Sequence, residues 1–522
     1  MTQPNTRGPA APPTREALRR ELRSGFRRAL GLTALGTVVP GAGLTRTRSR
    51  KIGWTLLVLA LASLVAGGYY VARHGLTNTA LSIVAQPSVL QTVAVVFVVV
   101  GIVWCGSIIL TAVQSRPSRL DRGRTRVLAA FTTLMVFLVA ASSFKFAEVT
   151  TITKDTVKGV FQAAPAKPGQ GAKIVTGDDP WAETPRVNVL LLGSDSGVGR
   201  TGTRTDSMIV ASIDTKTGHT VLISLPRNLE RVPLPASSPL RNVYPSGSYG
   251  RPTCLHQAAN DECMLNAIWT EADTYKQEHP SAYAGEQSAG RYETRQVISE
   301  VLGLKLNYTV VVDLHGFEEL VDAMGGVTVN VKLGPSGRLP IGGYQSHVDP
   351  TKVVNNEGWF KAGVQKLNGH YALWYARARA TDSDYYRMQR QRCVIRAVVQ
   401  QVNPGAMLGK YAELAKIAKD NIYTDIPADN LMAFVDLMER VQKSTITSLP
   451  LTPEAGVNTA RPDYEKIRAM VKAALAPPPA PAPKPSGSQT ATPTPSTPST
   501  PKPTHSTPSG GATSAPPTDE CA

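Results

Sequence analysis

Two aspartates lie near the ends of a glycine-rich stretch, GSDSGVGRTGTRTDS, which occupies residues 193–207. Three of its glycines follow the pattern G-x-G-x-x-G directly after the apolar run VNVLLL. That pattern is typical of dinucleotide sites and, in degenerate form, of P-loops, and both need a helix to follow because its N-terminal amides hold the phosphates. The alternating, β-branched run DSMIVASID follows instead and predicts a strand. We therefore infer that the loop positions Asp195, Arg204 and Asp206 beside a ligand.

Three predicted strands surround these charged residues. The strand VNVLLLG ends next to Asp195 and the strand DSMIVASID begins at Asp206. The turn DTKTG then leads into HTVLISLP, which ends next to Arg227. If the strands are neighbours in one sheet, these residues and Arg204 lie at the same edge, where glycines let a ligand approach the backbone. The alternative is a loop whose charges are solvated or form Asx turns.

A second group of charges lies in LNGHYALWYARARATDSDYYRMQRQRCVIRAVVQQV, residues 367–402. In the segment LWYARAR, the alternation places Arg377 and Arg379 on one face if the chain is extended. The following TDSD segment contains residue types that begin helices, because their side chains cap the first free amides. We therefore predict a helix after TDSD.

Polar residues continue the apolar stripe of this predicted helix. The stripe consists of Val394, Ile395, Val398 and Val402. Continued toward the N-terminus at the same spacing, it contains Gln391, Arg387 and Asp384. Polar groups on a buried face need partners or a ligand. The alternative is that the arginines are solvated and that Asp384 pairs with Arg387.

The two groups of charges together favour a pyrophosphate site. Guanidinium groups bind phosphate through two parallel hydrogen bonds. Two carboxylates, Asp195 and Asp206, are suited to hold Mg²⁺ or Mn²⁺, which prefer oxygen ligands. No Ser-His-Asp arrangement is apparent in the sequence.

Three apolar runs, Gly53–Ala72, Leu90–Val113 and Val127–Phe144, are each long enough to cross a bilayer. Residues 1–52 carry eleven Lys/Arg and two Glu, and the loop Arg116–Arg126 carries five Arg and one Asp. The positive-inside rule therefore predicts a cytoplasmic N-terminus and an outer domain after the third run. Because most of the +17 formal charge lies in those two segments, we expect no nucleic-acid partner.

An earlier apolar run, ALGLTALGTVVPGAGL, is interrupted by Pro40 and glycines. It is compatible with a re-entrant or interfacial segment, and the topology would invert if it spanned the membrane. The predicted segments are a basic cytoplasmic segment (1–52), a three-helix transmembrane region (53–147), a juxtamembrane linker (148–180), a folded extracytoplasmic domain (181–476) and a disordered Pro/Thr/Ser-rich tail (477–522).

Five cysteines are distributed along the chain. Cys254 and Cys263 bracket the short loop CLHQAANDEC, and an oxidising compartment would allow them to form a disulfide. Cys105 lies in an apolar run, and the pairing of Cys393 and Cys521 stays open. The C-x-x-C spacing of a zinc site is absent.

Over residues 186–475 the sequence resembles the LytR-CpsA-Psr family of cell-wall enzymes. The motifs that carry the resemblance occur in the family's order and at its spacing: NVLLLGSDSG, RTDSMIVASID, VLISLPRN, VVVDLHGFEELVDAMGGVTVNV, LNGHYALWYARAR and DSDYYRMQRQR. The membrane helices and the proline-rich tail look like those of actinobacterial members. The resemblance implies an α/β fold, an α-β-α sandwich with a central, largely antiparallel sheet.

The resemblance also implies roles for the charged residues. Asp195 and Asp206 match the acidic positions linked to Mg²⁺. Four arginines match those that surround the pyrophosphate: Arg204, Arg227, Arg377 and Arg379. The motif after them is matched by Asp384, Arg387 and Gln391. The sequence departs from the family at Asn228, where an acidic residue is common, and in CMLNAIWTEA, which lacks the usual lysine and paired glycines.

The activity implied by the resemblance is phosphotransfer at the outer face of the membrane. A glycopolymer would pass from a polyprenyl-pyrophosphate carrier to a peptidoglycan hydroxyl and become linked through a phosphodiester. Two alternatives stay open at this point. One is a polyprenyl-pyrophosphate hydrolase that uses water as acceptor, and the other is a non-catalytic wall-binding or regulatory membrane protein.

Overall fold

The computed structural model describes residues 15–75, 79, 83, 87–118, 120–160, 171–175, 179–195, 204–250, 263–346, 348–349, 351–402, 417, 421–427, 430–476 and 521. The chain falls into two compact units. The first comprises Met1–Glu183, Tyr308–Gly325 and Val402–Met438, and the second comprises Thr184–Asn307, Gly326–Gln401 and Glu439–Ala522. The residues proposed above for the pyrophosphate site all belong to the second unit.

The described residues form the following helices and strands. The helices are α1 (Arg15–Val38), α2 (Arg50–His74), α3 (Pro87–Ser115), α4 (Arg122–Val160), α5 (Ile268–Glu278), α6 (Ala289–Leu302), α7 (Leu314–Ala323), α8 (Gly369–Arg377), α9 (Asp384–Gln401), α10 (Leu431–Gln442) and α11 (Tyr464–Ala474). The strands are β1 (Arg186–Ser194), β2 (Thr205–Asp214), β3 (Thr220–Ser224), β4 (Tyr308–Asp313), β5 (Val327–Val331), β6 (Pro340–Gln345), β7 (Val353–Trp359), β8 (Gly363–Leu367), β9 (Ile422–Thr424) and β10 (Ile446–Pro450).

Long apolar helices dominate the first unit. The three predicted runs fall in α2, α3 and α4, whose segments Arg50–Arg73, Ser88–Ser115 and Arg122–Asp155 are long and apolar enough to cross a membrane. The earlier run interrupted by Pro40 begins inside α1, which ends at Val38. Trp104 of α3 donates its indole N–H to the backbone oxygen of Gly36 at 2.8 Å. That run therefore lies against one of the candidate spans.

The rest of the first unit is a small α/β region. Strands β4 and β9 pair antiparallel, and α7 begins directly after β4 because the Asp313 side chain accepts a hydrogen bond from the Gly316 amide at 2.7 Å. Trp181 is almost fully buried, and its indole N–H donates to the backbone oxygen of Ala433 at 3.1 Å. The ring of Trp181 packs edge-to-face on Phe434.

The second unit contains a sheet with the strand order β10-β3-β2-β1. Its β1–β2 and β2–β3 pairs are antiparallel, and β3–β10 is parallel. The predicted run of three strands is therefore confirmed. The chain described directly after the glycine-rich loop is the strand β2, so the dinucleotide and P-loop alternatives are wrong. The loop glycines themselves lie outside the described residues.

Both faces of this sheet are covered. Residues 208–212 of β2 are buried at consecutive positions, whereas a strand with one solvated face would alternate. On one face, Ile395 of α9 packs against Ile209, Ala211 and Leu222. The mixed α/β fold with a central, largely antiparallel sheet is thus confirmed.

Two antiparallel strand pairs were missing from the sequence prediction, and one helix differs from it. Strands β5 and β8 pair with each other across a long connection, and β6 and β7 form a hairpin. The segment LWYARAR is not extended, because α8 runs through it and ends at Arg377. Asn368 caps this helix by accepting a hydrogen bond from the Tyr371 amide at 3.0 Å. The predicted helix after TDSD is confirmed as α9, although Val402 follows its last residue.

The structure pairs cysteines that the sequence left open. Cys393 of α9 forms a disulfide with Cys521. Cys263 is also disulfide-bonded, but its predicted partner Cys254 lies outside the described residues, so the Cys254–Cys263 bridge stays a prediction.

A buried carboxyl group lies among the helices of the second unit. Glu293 of α6 is fully buried and accepts hydrogen bonds from the Ser238 hydroxyl and, at 3.2 Å, from the Tyr283 hydroxyl. Burial raises the pKa of Glu293 above its ordinary value, and the two hydrogen bonds offset this only in part. Because the pKa of Glu293 is raised in the folded state, its contribution to the free energy of unfolding is fully present below the unfolded pKa of about 4.3. This contribution is lost as the pH rises through the folded-state pKa, where the buried carboxyl ionises.

We predict that Glu293→Gln removes this pH dependence, because the amide has the same shape and stays neutral. The melting temperature of the variant should rise relative to the unmodified protein as the pH increases from about 4 to 8. Thermal unfolding of both proteins across that range measures the difference. A difference that stays constant with pH would contradict the prediction.

Candidate active site

A shift in the pairing between β1 and β2 positions Asp206, one of the two predicted acidic residues of the site. The register between β1 and β2 shifts between Gly193 and Ser194. Gly193 pairs with Ser207, whereas Ser194 pairs with Thr205, which leaves Asp206 as the extra residue of a β-bulge. A bulge turns its side chain out of the regular alternation and leaves a backbone oxygen outside the ladder. Alternation alone does not reveal such a shift.

Four charged residues form a closed ring of contacts around this bulge. Arg227 binds Asp206 with 2.8 Å between Nη1 and Oδ1, and its Nε lies 3.5 Å from Oδ1 of Asp384. Arg387 binds Asp384 with 2.9 Å between Nη2 and Oδ1. The same Nη2 donates to the backbone oxygen of Asp206 at 3.0 Å. The ring therefore joins β2, the segment after β3 and the first turn of α9.

The ring changes the protonation equilibria of its members. Burial acts to raise the pKa of Asp206, but the charges of Arg227, Arg387 and Arg379, with the hydrogen bond from Arg227, outweigh it and lower that pKa. The pKa of Arg387 is lowered by burial and by the neighbouring arginines, against the attraction of the aspartates. Asp206 is thus held as a carboxylate.

A second contact forms beside the ring. Asp195 is 8% exposed, and its Oδ2 lies 3.7 Å from Nη2 of Arg377 at the end of α8. The guanidinium of Arg377 also lies 5.5 Å from the ring centroid of Trp374, within cation–π range. The Asp195 amide donates to the backbone oxygen of Arg204 at 3.0 Å, which ties the two ends of the glycine-rich loop together.

An open cleft borders these residues. Its volume is about 880 Å³, and its lining comprises Pro340, Gly342, Gly343, Tyr344, Gln345, Ser346, Trp374, Arg377, Ala378, Arg379 and Ala380. Within this lining the charged residues are Arg377 and Arg379, both positive. Strand β6 and Ser346, the residue after it, supply the other wall. The cleft thus presents positive charge to an anionic ligand.

The structure brings most of the predicted residues together. The ring contains Asp206, Arg227, Asp384 and Arg387, and the second contact contains Asp195 and Arg377. Gln391 accepts a hydrogen bond from the Ser207 hydroxyl at 3.3 Å, next to the bulge. Arg379 lines the cleft and acts electrostatically on Asp206. The side chain of Arg204 is exposed, and its backbone rather than its guanidinium makes the contact described above.

A buried ion pair that the sequence analysis missed supports the cleft. Arg390 of α9 is 4% exposed and binds Asp382 with 2.6 Å between Nη1 and Oδ2. It also donates to the backbone oxygen of Tyr375 at 3.0 Å and to that of Ala378. Arg390 therefore holds the segment that carries Arg379. The signal in the sequence that could have revealed this ion pair was Asp382 in the TDSD segment, which was interpreted only as a candidate helix cap.

The carboxylates can be compared with the needs of a divalent cation. Among the described residues, no group of three or more His, Cys, Asp or Glu gathers at one place. Mg²⁺ is often held by one or two carboxylates, with water and substrate phosphate completing its coordination. Asp195 and Asp206 supply oxygen ligands of that kind. In the structure Asp206 pairs with Arg227 and Asp195 lies near Arg377, so a cation at these carboxylates would also need phosphate and water ligands.

We predict that Arg390→Met lowers the free energy of unfolding by about 3–5 kcal/mol, because it leaves the Asp382 carboxylate buried without its partner. Chemical denaturation measures this loss. The double variant Arg390→Met/Asp382→Leu should recover much of it, since the uncompensated charge is gone. As a control, Glu439→Gln, which breaks an exposed pair with Lys443, should change stability by less than about 1 kcal/mol. If Arg390→Met lowers the free energy of unfolding by less than about 1 kcal/mol, the Arg390–Asp382 pair does not stabilise the segment that carries Arg379.

Comparison with known proteins adds named relatives. The chain is similar to the polyisoprenyl-teichoic acid–peptidoglycan teichoic acid transferase TagU of Oceanobacillus iheyensis, with 26% identity over 258 residues, covering 49% of this chain and 63% of that protein. The TagU of Enterococcus faecalis is 29% identical over 249 residues, covering 47% of this chain and 63% of that protein. The chain thus spans somewhat less than two thirds of the length of these relatives.

The solved structures that the chain matches include Bacillus subtilis TagV, at 24% identity and a TM-score of 0.36, covering 56% of this chain and 97% of that chain. A second is the LytR-CPS2A-psr family protein YwtF (TagT) with bound octaprenyl pyrophosphate lipid, at 19% identity and a TM-score of 0.34, covering 58% of this chain and 94% of that chain.

Residues 149–473 match the model of the LytR_cpsA_psr family. This match covers more than half of the chain and includes both the charged ring and the cleft. The protein therefore belongs to the LytR_cpsA_psr (LytR-CpsA-Psr) family.

Proposed function

We propose that this protein is a membrane-anchored phosphotransferase that attaches a glycopolymer from a polyprenyl-pyrophosphate carrier to peptidoglycan. The observation that carries the proposal is the convergence of the charged ring, the Asp195–Arg377 contact and the cleft lined by Arg377 and Arg379. Family membership and the transferase names of the relatives support it. The glycopolymer and the acceptor sugar are not assigned.

Arginines perform the binding part of this function. Arg377 and Arg379 face the cleft, and their planar guanidiniums suit bidentate contacts with phosphate oxygens. Arg377 is held at its position by Asp195 and Trp374. A pyrophosphate between the two arginines would be oriented before reaction, so less entropy is lost during the chemical step.

The proposed reaction is in-line transfer. The acceptor hydroxyl attacks the phosphorus nearer the glycan, the bond to the bridging oxygen breaks, and polyprenyl phosphate leaves with that oxygen. The arginines offset negative charge that develops on the leaving group. The hydroxyl proton would pass to an aspartate of the site, Asp195 or Asp206, and the lowered pKa of Asp206 makes that residue a weak proton acceptor.

A divalent cation fits this scheme through Asp195 and Asp206. When bound, Mg²⁺ or Mn²⁺ would neutralise part of the pyrophosphate charge. The charged ring would meanwhile keep Asp206 ionised and fixed in direction, because Arg227 and Arg387 hold its carboxylate and its backbone oxygen.

The proposed location is the outer face of the cell membrane. Helices α2, α3 and α4 are candidate spans. The excess of Lys and Arg before the first span and between the second and third predicts that the N-terminus is cytoplasmic. The catalytic region would then face the wall, where peptidoglycan is the available acceptor.

We predict that Arg379→Ala lowers transfer by on the order of 10²–10³ without lowering the melting temperature, because this arginine faces the cleft and is not a member of the ring. The assay follows transfer from a synthetic polyprenyl-pyrophosphate donor to peptidoglycan. Arg227→Ala should lose both activity and stability, since it leaves Asp206 and Asp384 without a shared partner.

The control is Arg461→Ala, an exposed arginine that does not line the cleft, and it should transfer normally. Full transfer by Arg379→Ala would overturn the assignment. If the wild-type protein releases free glycan phosphate instead of a linked product, a hydrolase explains the site better. If the donor is bound but never consumed, the protein is a non-catalytic wall-binding protein.

We predict that a reporter fused after Ser509 is found outside the cell and that an N-terminal reporter stays inside, because of the asymmetric Lys and Arg distribution. Protease accessibility in intact cells measures both. A reporter after Ser509 that is found in the cytoplasm would contradict both the proposed topology and the proposed wall function.

A further inference from the structure

Aromatic rings border the cleft next to its arginines. Trp374 and Arg377 lie three residues apart on α8 and so share a face of that helix. A Cβ atom on Gly342 of β6 would lie 3.5 Å from the Trp374 indole, so the glycine leaves room beside this ring. Tyr344 of β6 also lines the cleft and is 50% exposed. Aromatic rings therefore line the cleft next to Arg377.

The cleft is larger and more amphipathic than a pyrophosphate requires. Its volume of about 880 Å³ is near the upper end of the range for sites that enclose organic ligands of about 300–1,000 Å³. Beyond the arginines, the lining combines aromatic rings with the polar residues Gln345 and Ser346. A ligand that matches this lining has an apolar face, a polar edge and a phosphate.

We propose that Trp374 and Tyr344 form the subsite for the sugar that is esterified to the donor's pyrophosphate. The inference rests on the proposed function, because it assumes a phosphate at Arg377. A sugar ring has a C–H face that packs on the negative face of an aromatic ring, and its hydroxyl groups suit Gln345 and Ser346. A polyprenyl chain has no polar edge and matches this wall less well.

The geometry places the sugar on one side of the phosphate. The Arg377 guanidinium lies 5.5 Å from the Trp374 centroid, so a group bonded to a phosphate held by Arg377 reaches the Trp374 ring, and Tyr344 lines the same cleft. The rings would select the first sugar and fix its orientation relative to the phosphorus. They are binding residues and do not exchange protons or electrons.

Two probes that differ only in the sugar test this subsite. Farnesyl pyrophosphate lacks the sugar, and farnesyl diphospho-N-acetylglucosamine carries it. Tyr344→Ala should weaken binding of the sugar-bearing probe about 3- to 10-fold and leave the sugar-free probe within about 2-fold. Tyr344→Phe keeps the ring and should bind both probes as the wild type does. Tyr371→Ala removes an exposed ring of α8 that does not line the cleft and is the matched control.

The outcomes separate the inference from the proposed function. If Tyr344→Ala weakens both probes equally, or weakens neither, the sugar subsite is wrong while the pyrophosphate site stands. If the wild-type protein binds neither probe, the proposed function fails and the subsite fails with it. Isothermal titration with the full chain in detergent measures all of these affinities.

Discussion

The closed ring of Asp206, Arg227, Asp384 and Arg387 is the interaction on which the active-site region depends. It begins with a β-bulge, which leaves the Asp206 carbonyl outside the strand ladder and available to Arg387. Each arginine serves two acidic or carbonyl partners, so removal of one leaves others unpaired in partly buried surroundings. Burying charges is costly unless every partner is present. The ring therefore requires β2, the segment after β3 and α9 to meet in one arrangement.

The charge balance around the cleft explains why this arrangement suits a phosphate ligand. The ring is formally neutral, with two aspartates and two arginines, and Asp195 balances Arg377. Arg379 adds a positive charge at the cleft surface. A phosphate that reached Arg227 would compete with two carboxylates, whereas Arg379 faces the cleft directly. Arg379 thus supplies positive charge at the cleft, and the charged ring holds the surrounding strands and α9 in place.

The sequence predicted the elements that local pattern controls. Alternating β-branched residues identified β2, and the backward extension of an apolar stripe identified Asp384, Arg387 and Gln391 before any contact was known. The bulge at Asp206 could not be predicted, because a register shift depends on which residues pair across two strands. LWYARAR was misjudged because its alternation resembles a strand, whereas the Asn368 cap and the burial of Ala372, Leu373 and Tyr375 favour a helix. The Arg390–Asp382 pair and the cleft wall formed by β6 depend on tertiary contacts that no short pattern reports.

The most direct test of the central claim is a double-mutant cycle on the affinity for farnesyl pyrophosphate. The cycle combines Arg227→Gln, which lies in the ring, with Arg377→Gln, which lies in the second contact. If both arginines belong to one pyrophosphate site, each single variant binds more weakly and their effects are non-additive by more than about 0.5 kcal/mol. Strictly additive effects, or unchanged binding in either single variant, would contradict the claim that the two groups of charges form one site.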